Sequence, residues 1–259
     1  MSTTIIHSKS GAKATVYTFG ATVASFTNSI GRELLFLSTD AKLDGSKAIR
    51  GGIPLVFPQF GAQPDTTMAQ HGFARNTMWT LEDDKSFDTD ESAGITLSLA
   101  LNNVKTSARG SAGEWAASST SEQELDCLLT MEIKISASSL TTTLTITNTG
   151  LTSFDFQTLF HTYYHVDQHD ALNSKKCNVV GLEGYICEDK ISGETYTTDA
   201  TPIGIDSNVD RIYTPPSSDD GKRNVLDITI MTGGDTSASL KAFGTVDGKE
   251  VPTSCVVWK

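Results

Sequence analysis

The chain has 259 residues, 38% of them hydrophobic, and a formal net charge of −11. That length and apolar content suffice to bury a substantial core as one large domain or two small ones. The acidic balance argues against binding nucleic acid or an anionic membrane surface through bulk electrostatics, so an anionic small molecule would need a locally basic pocket. The four cysteines, Cys127, Cys177, Cys187 and Cys255, form no CxxC pair. Residues 1–6 show no basic stretch leading into an apolar core, and no run of about 18 apolar residues occurs. The expectation is a cytoplasmic protein with free thiols and no membrane span.

In chain order, residues 15–25 are rich in β-branched and aromatic side chains and are interrupted by Gly20, which predicts two short strands or one kinked strand. Residues 32–37 predict another strand, and residues 41–48, around Asp44-Gly45-Ser46, are turn material. Residues 49–75 break this pattern. Gly51, Gly52, Pro54, Pro58, Gly61 and Gly72 impose an irregular backbone, and Ile53, Leu55, Val56, Phe57 and Phe60 would bury it. A rigid loop of this kind that presents Arg50, His71 and Arg75 suits a floor for an anionic or polyhydroxylated ligand. It is equally compatible with a packed corner whose arginines only cap carbonyls.

Further strands are expected at residues 79–82, 95–101, 125–136 and 140–148. Leu128, Met131, Ile133 and Ile135 are expected on one face of the third, and residues 136–139 read as its hairpin connection to the fourth. Residues 104–123 are small and polar apart from Trp115 and read as a long surface loop. Arg109 and Lys47 are expected to be solvated. Shorter strands are expected at residues 179–186, 211–214, 226–231 and 255–258. Helical periodicity is sustained nowhere, so the architecture is expected to be an all-β sandwich or barrel, best counted as a single domain.

Residues 154–166 carry His161 and His165, followed by His169. On a helix these three would share one face and suggest a metal site, but the Phe, Thr, Tyr and Val around them favour an extended chain. In a strand His161 and His165 stand roughly 13 Å apart, too far to share an ion. His161 is then either a hydrogen-bonded core histidine or a general acid tuned by the tyrosines beside it.

Residues 41–61, with the run Arg50-Gly-Gly-Ile-Pro-Leu-Val-Phe-Pro-Gln-Phe-Gly61, then Gln70-His-Gly-Phe-Ala-Arg75 and Trp79, resemble the glucose-6-phosphate 1-epimerases. These are the hexose-6-phosphate mutarotases of the aldose 1-epimerase superfamily. Leu159-Phe-His161-Thr-Tyr-Tyr164 is similar to that family's catalytic-histidine strand, and Gly181-Leu-Glu-Gly184 and Val209-Asp-Arg-Ile-Tyr213 match two further landmarks. The resemblance implies an all-β supersandwich of the galactose mutarotase-like type that needs no cofactor and no metal. It implies a small-molecule hexose 6-phosphate as substrate, whose α and β anomers are interconverted by acid/base ring opening and reclosure; separately, a monomer is expected. By the same resemblance His161 is the general acid, Arg50 and Arg75 hold the phosphate, and Gln70 and Asp210 bind the sugar, with His71 as a second hydroxyl contact. Taken alone, Asp210 could instead pair with Arg211 or cap a turn.

The resemblance breaks off at the end. Cys255-Val-Val-Trp258 is similar to a family strand that precedes the segment bearing the catalytic glutamate, and no such segment follows it before Lys259. Glu183, Glu188, Glu194 and Glu250 match no base position. The expectation is therefore an epimerase-like domain over residues 1–259 truncated at its C-terminus, or else a non-catalytic sugar-phosphate-binding or regulatory domain without the general base.

Overall fold

The computed structural model describes residues 1–62, 68–101, 126–205, 207–216 and 224–259. The expected loop at residues 104–123, with Arg109, lies outside the described residues. The chain divides into two compact units, Met1–Tyr164 and His165–Lys259.

Among its described residues the first unit has ten strands. β1 (Ser2–Ile6), β2 (Lys13–Tyr17) and β3 (Thr22–Thr27) form an antiparallel meander in that order. β4 (Leu55–Val56) pairs with a distant partner described below. β5 (Thr80–Leu81), β6 (Phe87–Asp88), β7 (Ala93–Ala100), β8 (Cys127–Ile135) and β9 (Leu140–Asn148) make a second antiparallel sheet, ordered β5-β7-β8-β9 with β6 also on β7. β10 (Leu159–Phe160) completes the set by pairing antiparallel with β4. One hydrophobic cluster joins Val16, Val23 and Phe26 of the meander to Leu97, Leu129, Met131 and Ile133 of the second sheet. Ile53, Leu55, Phe57, Phe73 and Trp79 from the glycine- and proline-rich stretch belong to the same cluster.

β8 shows why the second sheet is stable. Its period of two places Cys127, Leu129, Met131, Ile133 and Ile135 inward, all buried, with Glu132 and Lys134 on the solvent side. Each large apolar side chain so buried contributes about 1.5–3 kcal/mol. Leu128 is half-buried on the opposite face, so its expected place beside Met131 is corrected by strand parity. β9 alternates half-buried Leu140, Leu144 and Ile146 with exposed threonines, and the Ser136–Ser139 connection closes with a Ser136 N–H to Ser139 carbonyl bond of 2.9 Å.

Two expected strands are looser than expected. Residues 32–37 make only three isolated bridges, Thr27 with Glu33, Leu35 with Tyr164 and Leu37 with Gly51. Residues 154–164 run extended beside residues 52–58, but only Leu159–Phe160 forms a strand. The reason lies in the partner. The amides of Gln157 and His161 donate to the carbonyls of Pro58 and Pro54 at 2.8 and 2.9 Å. Neither proline has an N–H to return, so the ladder is one-sided at both positions.

The second unit contains β11 (Cys177–Val180), β12 (Ile186–Asp189), β13 (Thr195–Thr197), β14 (Ile203–Gly204), β15 (Asp210–Thr214), β16 (Leu226–Gly233), β17 (Thr236–Ala242), β18 (Gly244–Val246), β19 (Lys249–Val251) and β20 (Cys255–Trp258). They form two four-stranded sheets, ordered β14-β11-β16-β17 and β13-β12-β15-β20, and the hairpin β18-β19. The strand expected at 179–186 is two strands, β11 and β12, separated by a turn through Gly181-Leu182-Glu183-Gly184. Within the second sheet Arg211 Nε donates to Asp189 Oδ2 at 2.7 Å, while Asp189 Oδ1 accepts the amides of Ile191 and Ser192. These bonds hold the Asp189 carboxyl down at about 2. The four cysteines are free and buried, and among the described residues no helix is long and apolar enough to cross a membrane.

Candidate active site

The site is built by the first unit. Gly52 is where the glycine-rich stretch meets β3. A Cβ there would lie 2.1 Å from the Val23 carbonyl oxygen, so only glycine lets Ile53 donate its amide to that same oxygen at 2.9 Å. Four residues on, Phe57 is fully buried and packs edge-on against Phe73 with ring centroids 5.7 Å apart. Gly72 adopts φ +76°, and a Cβ on it would meet the Phe57 oxygen at 2.0 Å. This close approach lets Phe73 N–H reach the Phe57 oxygen at 3.1 Å and lets Phe57 N–H reach the His71 oxygen at 3.3 Å. Two stretches separated by residues 63–67 are thereby zipped together.

His71 sits at the seam, in the left-handed region at φ +67°, a conformation that side-chain-bearing residues seldom adopt. Its amide donates to the Gly61 oxygen at 2.8 Å, and its Nδ1 accepts the Gly61 N–H at 3.0 Å. Because Nδ1 is an acceptor, the neutral ring carries its proton on Nε2. Burial, and after it the Arg75 and His161 charges, bring its pKa down to about 4, so His71 is neutral at pH 7. Its ring tilts over Phe60 at 5.3 Å and meets the His161 ring edge to face at 5.9 Å.

His161 arrives on the extended segment, where its N–H donates a hydrogen bond to the Pro54 oxygen. Burial lowers its pKa and the Arg75 cation adds to that, while a hydrogen bond involving its own backbone opposes both. Two residues along, on the same face of the extended chain, Tyr163 stacks on it with centroids 4.8 Å apart and an interplanar angle of 18°. Arg75 lies on the short 3-10 turn Ala74–Asn76, which Trp79 holds by donating its indole N–H to the Ala74 oxygen at 3.0 Å. The guanidinium donates from Nη2 to the Gln70 oxygen at 2.8 Å, and its buried Nε has no hydrogen-bond partner among the described residues. Burial pushes its pKa down and Tyr163 works against that shift.

Of the six residues expected at the site, His71, Arg75 and His161 are gathered into one cluster, and Gln70 joins it through its main-chain oxygen. Its side chain is exposed. Arg75 therefore does cap a carbonyl, as the packed-corner alternative required, but with only part of its fork. Arg50 is exposed, its carbonyl accepting the Ser38 amide, and no hydrogen bond or ion pair joins it to the cluster among the described residues. Lys47 is exposed as expected. Asp210 belongs to the second unit, half-buried at the start of β15 opposite Trp258. The bonded partner of Arg211 is Asp189, not Asp210. Phe60 was expected to bury the loop and Tyr163 to be one of the tyrosines beside His161, but neither was expected among the site residues; here both rings border the histidine pair.

The sheets and this cluster define an all-β protein of the galactose mutarotase-like type. The structure of the Slr1438 protein from Synechocystis sp. PCC 6803 superposes with a TM-score of 0.66 at 21% identity, covering 96% of this chain and 82% of that one. A galactose mutarotase-like protein from Clostridium acetobutylicum superposes with a TM-score of 0.59 at 14% identity, covering 96% of this chain and 72% of that one. Residues 2–245 match the profile of the family described as aldose 1-epimerase. A protein of Cenchrus ciliaris named "Putative glucose-6-phosphate 1-epimerase" is 32% identical over 203 residues, which is 77% of this chain and 56% of that protein. The chain thus spans about half the length of that relative, and it belongs to the aldose 1-epimerase family.

Proposed function

We propose that the protein exchanges the α and β anomers of glucose 6-phosphate and related hexose 6-phosphates. The observation that carries this reading is the cluster itself: in a chain of the aldose 1-epimerase family, one imidazole, His161, is desolvated between a neutral histidine and a cationic arginine. His161 would deliver a proton to the ring oxygen as the bond from that oxygen to the anomeric carbon breaks. The anomeric hydroxyl loses its proton, to a base that this group of residues does not include, and becomes the open-chain carbonyl. Rotation about the bond between the first two carbons and reclosure with the proton transfers reversed yields the other anomer.

Neutral His71, whose proton sits on Nε2, would donate to a sugar oxygen without competing for the proton on His161. Arg75 offers a permanent cation and an unpartnered buried donor, both suited to a phosphate. Arg50 as a second phosphate contact, and Gln70 and Asp210 as sugar contacts, enter this reading by resemblance. The test is anomer exchange of glucose 6-phosphate followed by NMR magnetisation transfer. Exchange above the spontaneous rate supports the proposal. A silent chain that still binds the sugar phosphate would replace it with the binding-domain reading, and loss of both would overturn it.

A further inference from the structure

Phe60 and Gly61 present consecutive main-chain amides, and a different side chain takes each of them. Phe60 N–H donates to Gln157 Oε1 at 3.0 Å, and Gly61 N–H donates to His71 Nδ1 at 3.0 Å. Both side chains thus commit an acceptor atom to the loop and keep their donors. The amide of Gln157 turns its oxygen to Phe60, because an NH2 group there would set donor against donor. No described residue takes its two Nε2 protons, and the side chain is exposed. Its main chain is tied as well, by its N–H to the Pro58 oxygen at 2.8 Å.

The neighbours of this amide belong to the histidine cluster. The Phe60 ring lies 5.3 Å from the His71 ring, which lies 5.9 Å from that of His161. By the alternation of an extended chain Gln157 and His161 share one face, four residues and roughly 13 Å apart. With side chains reaching in from both positions, that span takes a sugar ring with a hydrogen bond at each end.

We propose that Gln157 is a substrate-binding residue that donates from Nε2 to a secondary hydroxyl on the pyranose edge opposite the ring oxygen. This rests on the reading above, in which His161 protonates that oxygen. With the ring oxygen at His161, the carbons bearing the 2-, 3- and 4-hydroxyls turn away from it, toward Phe60 and Gln157. Gln157 and His71 then act as a pair of fixed donors, each oriented by the loop amide it accepts. The contact selects among hexose 6-phosphates by which of these hydroxyls is present.

The test is calorimetric titration of wild type, Gln157→Met and Gln157→Ala with glucose 6-phosphate and its 2-, 3- and 4-deoxy analogues. Wild type is expected to bind at least one analogue roughly 2- to 10-fold more weakly than the parent sugar, the range of a neutral hydrogen bond. In both variants the ratio at that hydroxyl should fall to about one, while the ratios at the other positions stay as in the wild type. Two variants guard against one of them failing to fold. If the variants weaken the parent and all three analogues by one common factor, Gln157 only ties the loop and the assignment is overturned. Retention of every wild-type ratio, or a wild type that distinguishes none of the analogues, overturns it too and leaves the proposed function standing. A wild type that binds none of these sugars overturns the proposed function and this assignment together.

Discussion

Arg75 donates from Nη2 to the main-chain oxygen of Gln70 at 2.8 Å while its buried Nε is without a hydrogen-bond partner among the described residues. The loop thus orients its own cation and leaves one donor unsatisfied, which costs about 1–3 kcal/mol in a closed site and is regained if an anion arrives. Arg75→Ala should weaken glucose 6-phosphate binding by roughly 10- to 100-fold, the range of a charged hydrogen bond, and weaken glucose far less. Arg75→Lys should not restore the difference, because an ammonium cannot reproduce the planar fork. Arg50→Ala should cost less, since Arg50 is exposed and its contribution is screened. Calorimetric titration with both sugars decides this, and an equal loss for the two would mean that these arginines do not read phosphate.

His161→Asn should bring anomer exchange down to the spontaneous rate, consistent with the roughly 10²- to 10⁴-fold typical of general acid–base groups. Glucose 6-phosphate affinity should stay close to that of the wild type, because Arg75 and His71 keep their places. Equal activity in the variant would remove His161 from the mechanism.

Gly72→Ala should destabilise the first unit by about 2–4 kcal/mol, since the added carbon would stand 2.0 Å from the Phe57 oxygen at a φ of +76°. Gly11→Ala is the control. Gly11 has a similar φ of +73°, yet an added carbon there meets nothing within 4 Å among the described residues, so only about 1–2 kcal/mol of backbone strain is expected. Urea unfolding of both variants separates the clash from the strain, and equal losses would show that the close approach to Phe57 is not what makes glycine necessary.

The lowered His71 pKa carries a sign that can be checked. Its folded value of about 4 lies below the ordinary 6.5, so folding disfavours the protonated ring. The stability that depends on a neutral His71 is complete above pH 6.5 and is lost as pH falls from there toward 4. The melting temperature of the wild type should therefore drop over that window by more than that of His71→Asn, a residue that tolerates the left-handed backbone. A steeper drop in the variant would contradict the assignment.

Legibility from sequence followed the partner each segment has. Residues 140–148 and 255–258 were expected as strands and are β9 and β20 over the same residues, because each pairs in unbroken antiparallel register with a regular neighbour, β8 and β15. Residues 154–164 carry an equally strong strand composition but lie against Pro54 and Pro58, which accept and cannot donate. β17, with the sequence Thr-Ser-Ala-Ser-Leu-Lys-Ala, was not expected at all: its small polar side chains give little hydrophobic alternation, and its pairing with β16 holds it as a strand.

By itself the sequence determined the all-β class, the places where only glycine or proline would serve, and the residue types that meet in the candidate site. Those are properties of single residues and near neighbours, namely steric freedom, hydrophobic period and ionisation. Tertiary structure decided which of them act together. His71 and Arg75 reach His161 because residues 52–58 lie against both the 70–73 segment and the 157–163 segment, a hydrogen-bonding choice made between stretches far apart in the chain. It also decided that His71 is a neutral donor and that Arg75 is half committed to its own loop. Desolvation and long-range pairing set those states, and neither is written in the local sequence.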